Sequence, residues 1–291
     1  MDKRIITKEI DSLTIMQSLA DAYAHISSTR MKNTRDGVVR SREFLAEIQE
    51  IFKELQDSYR REVMKLARKK KGVKGNVTFL SHNGRSVAVF LSTNAGFYGS
   101  ITRRVFELFA KDISSENLEA TIVGRLGLSM FLESFPGRSY SYFDLPDYGK
   151  DSQKMGDLVR HLVPYEEIRI YYGKFKNIVN QHPEKTVISA STRVEERGEK
   201  EVVKYLFEPS LEEILTFFET EMFTSVFEQV ISESQLAKFA SRMLAMDSAG
   251  QKIRESLNAA KQDKLRLMHY ISNKKQLEYL TSTIGTERGI V

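Results

Sequence analysis

Apolar positions recur at helical spacing at both ends of the chain and at strand spacing in its middle. Near the start, Ile6, Ile10, Leu13, Ala20, Ala24 and Ser27 fall three, four or seven apart, and Phe44, Ile48, Ile51, Phe52 and Leu55 renew the stripe. This predicts one helix, or two in line, from about Ile5 to about Met64, spanning on the order of 85 Å at the α-helical rise. Toward the other end, Leu236, Phe239, Met243, Met246, Gly250, Ile253, Leu257, Ala260, Lys264, Leu267 and Ile271 alternate three and four apart without a break. That is the heptad seam of a coiled coil. Met243 and Met246 are then seam knobs, Gly250 is a place where a partner backbone can approach closely, and Gly250 and Lys264 weaken or re-aim the seam. Ser210, with Glu213 three residues on, is a capping pair for the helix that leads into it.

Between the two flanks the period changes. Arg85 to Ser92 is a short β-branched run, followed by a glycine-bearing turn and a helical pattern through Val105, Phe106 and Phe109. Strand then helix recurs: Ala120 to Val123 precedes a helix near Ser129 to Ser134, and Tyr140 to Phe143 precedes one near Met155 to Leu162. With further β segments at Ile168 to Tyr172 and Val187 to Ala190, this predicts a small α/β sheet of about five strands, in part parallel. All five prolines lie between Pro136 and Pro209, so both flanks are free to form long helices. The N-terminal helix is the only other helical segment long enough to cover the C-terminal seam. The expected fold is therefore a long antiparallel coiled coil of the two terminal helices, with a small Rossmann-like α/β domain inserted, a rod with a globular foot. The expected boundaries are 1–66 for the N-terminal coiled-coil helix, 67–209 for the α/β foot and 210–291 for the C-terminal helix.

Composition sharpens this picture in few places. Of 291 residues 41% are hydrophobic and 29% charged, a balance that suits long solvated helices better than compact layers. The chain has no cysteine, which removes disulfides, thiolate metal sites and cysteine nucleophiles. The charged start Met1-Asp2-Lys3-Arg4 lacks the apolar core of a secretory signal, and no window is apolar enough to span a membrane, so a cytoplasmic location is expected. The net charge of +5 is mild. On the C-terminal helix, Arg242, Lys252, Arg254, Lys261, Lys264, Arg266, Lys274 and Lys275 outnumber Asp247, Glu255, Asp263 and Glu278, which suits an acidic protein surround; no nucleic acid is expected.

Little in the chain asks for chemistry. The loop Thr93 to Ser100, between a strand and a helix, can be a phosphate cradle or a structural turn. Its spacing fits neither the dinucleotide fingerprint nor the Walker loop, which favours the turn. His25, His82, His161, His182 and His269 contain no pair at ligand spacing, so no metal and no cofactor is expected. Glu212, Glu213, Glu219 and Glu221 read as solvated helix faces, and the basic run Ala67 to Gly75 reads as a linker after the first helix.

Several stretches resemble the gamma subunit, the central rotor shaft, of F-type rotary ATP synthases and ATPases. The most specific is Ser241-Arg242-Met243-Leu244-Ala245-Met246-Asp247-Ser248-Ala249-Gly250, similar to the family's S/A-R-M-x-A-M-x-x-A, with Asn258-Ala259-Ala260-Lys261-Gln262 similar to N-K-A-R-Q. Ser92 to Gly99 resembles S-T-D-R-G-L-C-G, Tyr205 to Pro209 resembles Y-L-Y-E-P, and Ser12 to Met31 follows the family's N-terminal stretch in Ser12, Gln17, Ala22 and the Ser27-Ser28-Thr29-Arg30-Met31 close.

The resemblance implies a non-catalytic rotor subunit that couples its own rotation to conformational change in a hexamer of alpha and beta subunits. It further implies an epsilon-like small subunit and a membrane rotor ring as partners, and a place at the membrane periphery through the complex. Residue by residue, Lys261 and Gln262 match family positions that meet the ring's catch loops, Tyr23 matches a position near the beta subunit's lever, and Arg242 matches the family arginine; these four are the implied hexamer contacts. Foot contacts to a membrane ring map to the loop near Val194 to Lys204. Asp21 and Lys261 depart from the family's lysine and arginine, and about seven residues are added between Gln262 and Ile271. A different reading of the same pattern is a coiled-coil adaptor or structural protein with a ligand-binding α/β domain.

Overall fold

The computed structural model describes residues 3–58, 76–77, 82–149, 151–189, 192–193 and 210–287. The basic run 67–75, the loop 194–204 and the stretch 205–209 singled out above lie outside the described residues, as do the two expected boundaries at 66/67 and 209/210.

The middle of the chain forms a five-stranded sheet: β2 (Ser86–Leu91), β3 (Glu119–Val123), β4 (Tyr140–Phe143), β5 (Glu167–Phe175) and β6 (Gln181–Ser189), in the order β4-β3-β2-β5-β6. The pairs β2–β3, β3–β4 and β2–β5 are parallel, and β6 returns antiparallel along β5. β6 begins earlier than the Val187 expected from periodicity, because its first half (Gln181 to Lys185) is a polar edge that carries no apolar alternation. A separate two-residue pair joins β1 (Asn76–Val77) to β7 (Thr192–Arg193). The helices between are α2 (Ile101–Ser115), α3 (Arg125–Ser134) and α4 (Ser152–Leu162). Asp151 caps α4 by accepting from the Lys154 amide at 3.1 Å, using an orphan donor of the first turn.

The central strand β2 is buried on both faces, and its alternation sorts it between two cores. Val87, Val89 and Leu91 pack with Leu158 and Leu162 of α4 and with Phe227, Val230 and Ile231 of the C-terminal helix. Ala88 and Phe90 pack with Val105, Phe106 and Phe109 of α2 and Phe131 of α3. Part of the C-terminal helix therefore serves as one of the helices of this α/β layer.

That helix, α5 (Leu211–Glu287), is 77 residues long, and the N-terminal helix α1 (Lys3–Ser58) is 56. At the start of α5 the Ser210 hydroxyl accepts from the Glu213 amide at 3.3 Å, as the capping pair predicts. The chain divides into two compact units, Ser27–Arg242 and Met1–Ile26 with Met243–Val291, so that α1 and α5 each contribute to both.

Within Ser27–Arg242 the two helices run antiparallel. Phe52 and Leu55 pack on Leu215, with Phe218 beside them, the Arg42 guanidinium donates to Glu233 at 2.9 Å, and Arg30 lies over the Phe239 ring. Within the unit of terminal segments, Asp21 pairs with Arg254 at 3.5 Å beside Gly250.

On α1 the positions Ile6, Ile10, Leu13, Gln17, Ala20, Ala24, Ser27, Met31, Thr34, Val38, Ser41, Leu45, Ile48, Phe52 and Leu55, alternating four and three apart, are all buried or half-buried, and Thr7, Arg30 and Gly37 beside them are half-buried too. Two residues expected on this stripe are off it: Phe44 is 50% exposed and Ile51 51%, while Leu45 is buried. Each displaced residue lies one position, about 100° of helix turn, from a seam residue. The register is carried on through Gln17, Thr34 and Ser41, which an apolar pattern does not count.

Candidate functional site

The loop Ser92–Ser100 leaves the C-terminal end of β2 and is tied to the chain around it by hydrogen bonds at Asn94 and Ala95. The Asn94 and Ala95 amides both donate to the Asp147 carboxylate, at 2.8 and 3.0 Å. The Asn94 side chain donates to Asp144 and to the Leu145 carbonyl and accepts from the Arg125 amide at 2.9 Å. Gly124 sits directly behind, at φ 95°, where a Cβ would meet the Thr93 backbone at 2.9 Å; both the dihedral and the space require glycine. The anion cradle that the sequence left open is thus filled from within the fold, because Asp147 occupies the amides a phosphate would need.

One face of α5 closes over this loop. Gln235 donates to the Gly149 carbonyl at 3.2 Å, Lys238 Nζ to the Ser92 carbonyl, Ser241 Oγ to the Tyr98 carbonyl at 2.8 Å, and Arg242 to the Gly96 carbonyl at 2.9 Å. These positions fall three or four apart and share one helical stripe. The Arg242 guanidinium also lies 4.2 Å from the Tyr98 ring centre. Phe239 packs between the rings of Tyr98 and Tyr148, and Arg30 of α1 stacks over Tyr148 at 4.8 Å. The electrostatics are those of a buried joint. Burial first, and the Asp147 carboxylate second, push the Tyr98 hydroxyl up to about 12. Burial pulls Lys238 down to about 8, opposed by Asp147.

The expected site residues fall in different places. Tyr23 on α1 is 37% exposed, and Lys261 and Gln262 are exposed on α5. Arg242 differs from the other three: it is 6% exposed and its guanidinium lies inside the fold, on Gly96 and Tyr98. A charged head with a backbone carbonyl and an aromatic face at hand is better served there than in an outward contact. Of the seam positions, Leu236, Phe239, Gly250, Leu257 and Ala260 are buried, and Met243, Met246, Ile253, Lys264, Leu267 and Ile271 are half-buried. Gly250 has no backbone pressed against it: a Cβ there would meet Asp21 Oδ1 at 3.5 Å and the Ala20 Cβ at 3.9 Å, ordinary contact distances. Asp147, Gln235 and Lys238 carry no motif and make their contacts here across 52 to 146 residues, so local pattern has no access to them. Among the described residues no group of three His, Asp or Glu side chains is placed to hold a metal.

A family profile described as ATP synthase matches residues 2–265. The chain belongs to the ATP synthase gamma family. Curated gamma chains align along nearly the whole sequence: that of Clostridium perfringens is 22% identical over 270 residues, covering 90% of each chain, and that of Pelotomaculum thermopropionicum is 21% identical over 253 residues, covering 84% and 85%. In fold, the chain is similar to the central stalk of the Tetrahymena thermophila mitochondrial ATP synthase, with a TM-score of 0.58 at 18% identity over 79% of this chain and 99% of that one. It is equally similar to the rotor of the Euglena gracilis enzyme, with a TM-score of 0.58 at 14% identity over 96% and 98%. As a gamma-family chain it is a non-catalytic rotor subunit of a rotary ATPase. No described helix is long and apolar enough to cross a membrane.

Proposed function

We propose that this gamma-family chain turns inside a hexamer of alpha and beta subunits through its terminal segments, and that the joint around Asp147 and Arg242 transmits torque between α5 and the sheet. The observation that carries the reading is the division of labour among the expected contacts. Tyr23, Lys261 and Gln262 lie on the surface, accompanied by exposed Ile15, Met16, Leu19, Leu265 and Met268, while Arg242 is held inside. Scattered exposed apolar and charged side chains suit a rotor, which needs many shallow contacts and no deep one that would pin it. An epsilon-like small subunit and a membrane rotor ring complete the assembly, placing the chain on the cytoplasmic side, peripheral to the membrane; the expected ring-contact loop 194–204 is outside the described residues.

The test is reconstitution of the complex with surface and internal variants side by side. Lys261→Glu with Gln262→Glu is expected to lower coupled ATPase turnover by roughly fivefold, equivalent to about 1 kcal/mol, with the melting temperature of the isolated chain unchanged. Arg242→Ala is expected to do the reverse at the level of the chain, lowering its stability by about 2 kcal/mol through loss of a charged hydrogen bond and a cation–π contact. Unchanged turnover in the double variant, or full stability in Arg242→Ala, would remove the assignment.

A further inference from the structure

Lys238 is the least accommodated charge of the joint. It is 8% exposed, and among the described residues its hydrogen-bond acceptor is the Ser92 carbonyl, which uses one of three ammonium N–H groups. Beside it is a pocket of about 20 Å³, and roughly 10–15 Å³ on this measure is enough for one water molecule. Ser234, one helical turn before Lys238 on the same face of α5, also lines the pocket; it is 1% exposed and its hydroxyl has no protein partner. β2 and β3 line the pocket with apolar Leu91 and Val123, α5 otherwise contributes neutral Ile231 and Gln235, and the loop after β4 brings Asp147. Among the described lining residues Asp147 is thus the one charge opposite Lys238, and no direct ion pair joins the two. Tyr98 and Arg242 stand further along the same joint, and Arg30 enters from α1.

A buried ammonium with unused donors, an orphaned buried hydroxyl and room for one small polar molecule belong together. We propose that this pocket is a binding site for one structural water, held by Lys238 Nζ and Ser234 Oγ next to the Asp147 carboxylate, and that the water couples α5 to the loop that Asp147 anchors. A water-bridged pair re-forms over a range of separations where a direct pair would break, so the joint yields without parting. The site is built wholly from side chains of Ser27–Arg242 and stands or falls independently of the hexamer contacts proposed above.

The experiment is a crystal structure of the full chain at a resolution that shows waters, paired with NMR titration of the Lys238 side chain in the wild type and in Ser234→Ala. The expected result is one water within hydrogen-bond distance of Lys238 Nζ and Ser234 Oγ. In Ser234→Ala the weaker hold on the water should lower the Lys238 titration midpoint, since the charged form loses solvation; a midpoint lower by about half a unit corresponds to a threefold change in the protonation constant. A dry pocket, a direct Lys238–Asp147 ion pair or a midpoint indifferent to Ser234→Ala would each overturn the proposal. Lys238→Met provides the control, because its pocket should lose the water even where the fold is kept.

Discussion

Asp147 shows how a single carboxylate can decide the character of a loop. Free amides between a strand and a helix invite an anion, and the fold supplies its own, bound by Asn94 and Ala95 and lying beside Lys238. Lys238 in turn makes the joint sensitive to alkaline pH. Its folded-state value is pulled from 10.5 to about 8, so between those values the unfolded chain binds more protons than the folded one. Stability contributed at this residue is therefore lowest below about pH 8 and rises as pH climbs toward 10.5, by up to about 3 kcal/mol. Chemical denaturation of the wild type and Lys238→Met across this range checks it: the difference between the two should shift in the wild type's favour as pH rises. A difference that stays flat with pH would mean that Lys238 is solvated normally.

The governing rule for the long helices is register. On α1 the apolar residues alone allow two readings of the second half, one through Phe44 and Ile51 and one through Leu45, and only the second continues the alternation set by Ile6 to Ser27. Ile48→Ala, at 8% exposed, is expected to cost about 2–4 kcal/mol, whereas Ile51→Ala, at 51%, should stay within about 0.5 kcal/mol of wild type; thermal or urea unfolding separates them. Gly250 on α5 is a further case. The sequence alone suggests a close backbone crossing there, but a Cβ has ordinary contact room against Asp21 and Ala20. Gly250→Ala should therefore stabilise the chain by about 0.5–1 kcal/mol, by helix propensity and reduced freedom of the unfolded state, rather than disrupt packing. A fall in melting temperature would show that the seam is tighter than its distances indicate.

At the level of the whole molecule, the heptad period of α5, the strand–helix alternation of the middle and the capping pair at Ser210 were all legible from residues a few positions apart, because period and capping are local properties of the backbone. The likeness to rotary-ATPase gamma subunits rested instead on short motifs, above all Ser241 to Gly250 and Asn258 to Gln262, and the family match over residues 2–265 bears it out. What tertiary structure alone decided was partnership: Asp147 in the loop's amides, the Lys238 and Arg242 heads turned inward, Phe239 set among the rings of a distant loop, and Leu45 rather than Phe44 on the seam. Period fixes which residues share a face of a helix. Which face is covered, and by what, depends on contacts between residues far apart in the chain.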